Sequence, residues 1–209
     1  VEEVQPLLVD LLDPEPGQRL LDVGCGEGGV LRLVAERGAD VVGLDGAERL
    51  AAKSGRAFVA LLPDLDPVAD ESFDGAYMVL VLEHLDDAAR AFAEIHRVVR
   101  GGGHFVLIVN HPIFTAPDAT PITDPTDGET FYRPGRYFSG GYTDYVVGDQ
   151  TVRFHHRTVS SLLNTGADQG WVLERMEERG VGPGQIERDP TLASQEHIPR
   201  LLAIRWSRT

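Results

Sequence analysis

The stretch Leu20-Leu21-Asp22-Val23-Gly24-Cys25-Gly26-Glu27-Gly28-Gly29 constrains this chain more than any other. A strand-length apolar run starting at Arg19 meets a turn of glycines. Helical spacing resumes at once, with Val30, Leu31 and Val34 ahead of a stop at Gly38. Glycines at such a turn let the backbone pass close to a ligand, and the start of the following helix offers unpaired N–H groups to an anionic group. Gly24, Gly26 and Gly29 also satisfy the G-x-G-x-x-G spacing of dinucleotide-binding folds, and Asp45 stands where a ribose-binding acid belongs. The glycines point to a bound nucleotide and leave its identity open.

Strand and helix patterns alternate through the first half. Strands are expected at Arg19–Gly24, Asp40–Leu44, Ala57–Leu61, Asp74–Val81 and His104–Val109. Helices are expected at Gly28–Arg37, Ala47–Ser54 and Asp86–Arg100, the last with Ala89, Phe92, Ile95, Val98 and Val99 on one face and the Gly101–Gly103 triplet as its end. Such alternation predicts an α/β fold with a mostly parallel sheet between two helical layers. Beyond Asn110 the pattern breaks, and residues 111–150 are rich in Pro, Gly, Thr and Asp with no sustained period. Phe114, Phe131, Tyr132, Tyr137, Phe138, Tyr142 and Tyr145 lie there, and disordered segments are poor in aromatics. A folded, aromatic-rich cap over about residues 111–157 is therefore expected, inserted in a single domain spanning residues 1–209. A helix at Thr158–Thr165 and strands at Trp171–Met176 and Arg200–Trp206 follow.

Charge narrows the partners. The chain carries 33 acidic against 19 basic residues, a net charge of −14, which opposes a polyanion, and no Lys/Arg cluster offsets it. A small-molecule substrate is expected rather than nucleic acid. No apolar run approaches the roughly 20 residues that cross a bilayer, so no membrane association is expected. The acidic N-terminal residues lack the pattern of a signal peptide. Cys25 is the single cysteine, which excludes an internal disulfide and suits a reducing, cytoplasmic setting, as a monomer or homodimer.

Asp22 begins to separate the candidate ligands. A carboxylate at the strand end, aimed at the glycine turn, suits a ligand with a cationic amino group and would repel a pyrophosphate. Here the sequence resembles class I S-adenosylmethionine-dependent methyltransferases: Leu-Asp-Val-Gly-Cys-Gly-Glu-Gly is similar to their first motif. Ser72-Phe73-Asp74, Val81-Leu82-Glu83-His84-Leu85 and Val98-Val99-Arg100-Gly101-Gly102-Gly103 resemble the later ones, in order and spacing, over residues 19–110. His111-Pro112-Ile113-Phe114-Thr115-Ala116-Pro117 and Phe154-His155-His156-Arg157-Thr158 resemble a bacterial subgroup acting on small molecules. The resemblance implies a Rossmann-like three-layer sandwich, with a seven-stranded, mostly parallel sheet and one antiparallel C-terminal strand. It implies S-adenosylmethionine as cofactor and S-adenosylhomocysteine as product. Gly24, Cys25 and Gly26 would line the methionine part beside Asp22, and Asp45 would accept from the ribose hydroxyls with Gly46 turning past them. Asp64 and Leu65 would meet the adenine, and Met78 and Val79 would offer backbone contacts. Gly101 stands where the family usually has Pro.

Methyl transfer from a sulfonium is an in-line displacement, in which the protein supplies positioning and a base where the acceptor must lose a proton. Of seven histidines, His84, His111 and His156 are the candidates for that base, while His96, His104 and His197 read as structural. Phe114, Tyr137, Tyr142 and Tyr145 are candidates to bind a flat or apolar acceptor at oxygen or nitrogen, although the same aromatics could form the cap's own core. Leu80 stands where some methyltransferases carry a second metal-binding Glu, so no metal is expected. Two other readings remain open at this point: a catalytically silent cofactor-binding or regulatory protein, and a nicotinamide-dependent oxidoreductase.

Overall fold

The structure is a computed structural model that describes residues 3–66, 68–148 and 150–209; Val1 and Glu2 of the acidic start, Pro67, and Asp149 of the cap region lie outside the described residues. Period-two alternation of apolar residues builds the sheet. Along β5 (Val99–Asn110), Phe105 and Leu107 enter one core while Val106 and Ile108 enter the other. In the same way β4 (Phe73–Val79) sends Ala76 and Met78 to one side and Tyr77 to the other. The remaining strands are β1 (Arg19–Val23), β2 (Asp40–Asp45), β3 (Ala57–Val59), β10 (Trp171–Arg179) and β11 (Leu201–Arg208). The sheet order is β10-β11-β5-β4-β1-β2-β3. β11 runs antiparallel to both neighbours, and the other strands run parallel. The expected seven-stranded sheet with one antiparallel C-terminal strand is what the chain forms.

Helices cover both faces. α2 (Gly29–Ala35) buries Leu31 and Val34 in one core, and α3 (Glu48–Ser54) follows β2. α4 (Ala88–Val98) and α6 (Val159–Asp168) cover the other, with Phe92 edge-on to Phe105 and Trp206 at 5.4 and 5.2 Å. α1 (Val4–Leu12), for which the sequence reading made no provision, buries Val4, Leu7, Leu8, Leu11 and Leu12 against β5 and β11. The guanidinium of Arg205 donates to the carbonyls of Leu11 and Leu12 and so satisfies the end of that helix.

One boundary needs correction. The Gly101–Gly103 triplet does not end the helix: α4 stops at Val98 and the glycines lie inside β5. Phe73 pairs with Val99 and Gly75 with His104, so β5 bulges outward over the extra residues. A side chain at Gly103 would lie 2.6 Å from the Asp74 carbonyl, which explains glycine there. The segment expected to have no sustained period also contains regular structure. After a short α5 (Pro112–Thr115) it forms two antiparallel hairpins, β6 (Thr120–Thr123) with β7 (Thr130–Arg133) and β8 (Gly141–Val147) with β9 (Gln150–His156). A further helix, α7 (Pro183–Arg188), precedes β11.

Candidate active site

The chain runs outward from β1 through β2 and β3, then returns to build β4 and β5 on the other side of β1. Open α/β sheets bind ligands where the order reverses, at the carboxyl ends of the strands. Asp22 stands there, buried, with Oδ2 free of any hydrogen-bond partner. Burial pushes its carboxyl up to about 7; the nearby Tyr77 hydroxyl opposes the shift and Asp45 adds to it. Gly24 N and Cys25 N both donate to the Leu44 carbonyl, at 2.7 and 2.9 Å, which ties the glycine turn to β2. Gly24 has φ +82°, and a side chain there would collide with Val81.

Asp45 ends β2 and braces the turn: its two oxygens accept from Gly26 N and Ala47 N, each at 2.8 Å. Each oxygen keeps a further lone pair for a ligand donor. The Cys25 thiol is buried and pushed up to about 12, chiefly by burial and then by Asp22 and Asp45, which makes it inert as a nucleophile. A cavity of about 290 Å³ is lined by Asp22, Gly24, Cys25, Gly26, Val79 and Leu80, with Val4 and Gln5 of α1 closing one side. Met78 itself is fully buried in the core beneath it. Next to Asp45 the chain passes Gly46 and, through Ala60 N to Asp45 O at 3.1 Å, reaches the loop of Asp64 and Leu65. Asp64 Oδ1 accepts from Arg90 Nε, and Leu65 is buried with its N–H donated to Glu94 at 3.0 Å.

Leu80 leaves β4 with φ +56°, a left-handed conformation that costs energy for a branched side chain, and its N–H donates to Ile108 O at 2.8 Å. A one-turn 3-10 helix (Leu82–His84) follows. Glu83 is buried; its Oε1 accepts from Asn110 Nδ2 at 2.8 Å and Asn110 N at 3.3 Å, while Oε2 is unpartnered. Arg157 fixes this turn by donating to the carbonyls of Leu82 (3.0 Å), Leu85 and Asp86 (2.9 Å). Two further cavities adjoin. One of about 330 Å³ shares Val4 and Leu80 with the first; the other, of about 560 Å³, lies under the hairpins and shares Asn110 and Phe114 with the second.

The three candidate histidines sit differently. His111 is buried with Nε2 on Glu178 Oε1 at 2.7 Å and Nδ1 accepting from Ile113 N at 3.2 Å, and burial lowers its pKa. His156 is buried with Nε2–H donated to the Tyr137 carbonyl at 2.7 Å and Nδ1 against Thr115 Oγ1 at 3.2 Å; burial lowers its pKa as well. His84 is exposed, edge-on to Phe154 at 4.6 Å, and its Nδ1 meets the Arg153 carbonyl at 2.9 Å. A carbonyl can only accept, so the proton sits on Nδ1 and Nε2 is the basic nitrogen.

Among the candidate aromatics, Phe114 and Tyr145 line the cavity under the hairpins, with Tyr132 4.2 Å from Phe114 and Phe154 5.2 Å from Tyr145. Tyr137 instead packs on His156 and accepts from Val159 N through its hydroxyl at 3.1 Å. Tyr142 lies under the Arg153 guanidinium at 3.6 Å. Sequence reasoning overlooked Glu83 as the partner of Asn110, the cavity wall made by α1, and Arg200. Among the described residues, no group of three or more His, Cys, Asp or Glu side chains gathers as a metal site, and no helix is long and apolar enough to cross a membrane.

A family model described as a methyltransferase domain matches residues 21–107. The crystal structure of an S-adenosylmethionine-dependent methyltransferase from Mesorhizobium loti superposes with a TM-score of 0.85 at 33% identity, over 97% of this chain and 96% of that one. A 37.1 kDa protein in a transposon of Streptomyces fradiae is 32% identical over 94% of this chain and 61% of its own length. 24-Methylenesterol C-methyltransferase 2 of Arabidopsis thaliana is 35% identical over 49% of this chain and 32% of its own length. The chain thus spans less than two thirds of either of these curated relatives.

Proposed function

Because the chain belongs to the S-adenosylmethionine-dependent methyltransferases and takes S-adenosylmethionine as its cofactor, we propose that it transfers a methyl group to oxygen or nitrogen of a small, hydrophobic or aromatic acceptor. The observation that carries this reading is the buried Asp22 carboxylate with an unpartnered oxygen facing the glycine turn. A buried carboxyl in that state favours an ammonium over any anionic group. Bound there, the cofactor supplies a sulfonium methyl group already activated for displacement.

The chain's own residues then divide the work. Asp22 pairs with the amino group, and the backbone of Gly24 and Gly26 lies against the methionine part. Asp45, already fixed by Gly26 N and Ala47 N, presents its spare lone pairs to the ribose hydroxyls. Asp64 offers its second oxygen to the adenine amino group, Arg90 holding the first, with Leu65 and Gly46 bordering the base. Val79 and Leu80 present backbone at the mouth between the cavities. The acceptor occupies the two neighbouring cavities, between Phe114 and Tyr145 on one side and Asn110 on the other. His84 suits the base best of the three histidines, since its tautomer leaves Nε2 basic, whereas His111 and His156 have both ring nitrogens engaged. Similarity to the Arabidopsis enzyme favours carbon as a second acceptor atom.

A thermal-shift titration tests the reading, with S-adenosylhomocysteine, S-adenosylmethionine and NAD in parallel. At about 100 times its dissociation constant a ligand adds roughly 2.7 kcal/mol, a rise of about 5–10 °C for a chain of this length. S-adenosylhomocysteine is expected to raise Tm and NAD not to, with the response lost in Asp22→Ala. A response to NAD alone would overturn the assignment.

A further inference from the structure

We propose that the methyl acceptor is a hydrophobic carboxylic acid whose carboxylate pairs with Arg200. The inference rests on the methyltransferase reading and specifies the acceptor of the same site. The cavity of about 330 Å³ at the carboxyl end of β5 is lined by Val4, Leu80, Asn110, Phe114 and Leu201, together with Arg200. Val4 and Leu80 also line the cofactor cavity, so a molecule held here borders the methyl donor.

Arg200 is fixed in place. Its carbonyl accepts from His111 N at 2.8 Å and its N–H donates to Arg179 O at 2.6 Å. The guanidinium lies 4.6 Å above the Phe114 ring, one amino group donates to the neutral Gln195 Oε1, and Nε is buried without a partner. Among the described residues no carboxylate pairs with it. Elsewhere arginines find acids readily in this acidic chain: Arg205 meets Glu174 at 2.7 Å and Arg153 meets Asp144 at 2.8 Å. Glu3 also borders the cavity, but its carboxylate lies against Gly182.

A half-buried guanidinium held by the neutral Gln195 and the Phe114 ring, with Nε unpaired and no carboxylate among the described residues to pair with it, keeps part of its desolvation cost unmet. A carboxylate is the ligand group whose two oxygens match its forked donors. The chain's net charge of −14 repels an anion at a distance, so selection for an acid has to come from contact at this one residue. The remaining wall of Val4, Leu80, Phe114 and Leu201 sets an apolar body for the rest of the ligand.

The test is calorimetric titration of 2-naphthoate and its neutral isostere 2-naphthamide into the full chain saturated with S-adenosylhomocysteine. The acid is expected to bind at least about tenfold more tightly, about 1.4 kcal/mol. Arg200→Gln is expected to remove that preference and Arg200→Lys to keep part of it, both retaining the Tm rise with S-adenosylhomocysteine that certifies a folded chain. Equal affinity, absence of acid binding, or a preference that survives Arg200→Gln overturns the proposal. A wild-type chain without the Tm rise would instead remove the methyltransferase reading beneath it, so the two failures are distinguishable.

Discussion

Asp22 and Tyr77 stand in register on the adjacent strands β1 and β4, and each carries a buried oxygen with no hydrogen-bond partner. Burial raises the Asp22 carboxyl to about 7, well above the ordinary carboxylate range. The folded state therefore holds the proton more tightly than the unfolded state. The stability gained from that proton is full below about pH 4 and is lost as pH climbs to about 7. Asp22→Asn is expected to remove this slope. Its advantage over the wild type should grow between about pH 4 and pH 7 and level off above, at about 1.4 kcal/mol per unit of displacement. Urea unfolding at several pH values reads the difference. In the wild type alone, S-adenosylhomocysteine should bind more tightly over the same interval, because the charged carboxylate is the form that pairs with an ammonium. A parallel pH response in both proteins would remove Asp22 as the amino-group partner.

Gly24→Ala introduces a side chain at φ +82° that also collides with Val81. A loss of about 1–3 kcal/mol is expected, together with loss of the Tm response to S-adenosylhomocysteine. Adding Val81→Ala should relieve the collision and not the backbone strain. Full recovery would show that φ at this turn is unimportant.

Arg157→Ala leaves the carbonyls of Leu82, Leu85 and Asp86 without their shared donor. A drop of about 2–3 kcal/mol, or roughly 5–10 °C in Tm, is expected. Arg157→Lys should restore less than half, since a compact ammonium lacks the two separated amino groups through which the guanidinium reaches Leu82 on one side and Leu85 and Asp86 on the other. A Tm within about 1 °C of wild type would mean that the turn holds itself.

His84 and His156 separate by readout. His84→Ala should cut methyl transfer by about 100-fold and leave the cofactor-induced Tm rise intact. His156→Ala removes contacts to Thr115 and the Tyr137 carbonyl and should act first on Tm. Unchanged turnover in His84→Ala, measured from radiolabelled S-adenosylmethionine, would dismiss it as the base.

Local chemistry was legible in the chain, and long-range pairing was not. The glycine turn from Gly24 to Gly29 and the strand runs around it are contiguous, so their spacing alone points to a parallel α/β sheet. Val4, Leu7, Leu8 and Leu11 carry the period of a helix, a signal present in the sequence that the reading passed over. Gly101–Gly103 misled because glycine ends helices and forms strand bulges alike; the deciding neighbour, Asp74, lies on another strand. The strands of the β6–β7 and β8–β9 hairpins are mostly exposed on both faces, so no apolar alternation marks them. The partner that engages His111, Glu178, stands 67 residues away, beyond the reach of any local pattern. Nothing in the local pattern around Arg200 tells that its guanidinium meets Phe114.

The linings of the first two cavities divide the chain almost cleanly. Apart from Val4 and Leu80, which belong to both, the cavity proposed for the cofactor draws on residues up to Val79, and the one proposed for the acceptor draws mainly on residues from Asn110 onward. Substitutions that retune which molecule is methylated can therefore accumulate in the later segments while the donor-binding apparatus stays untouched. A chain arranged this way can change its client without relearning how to hold its reagent.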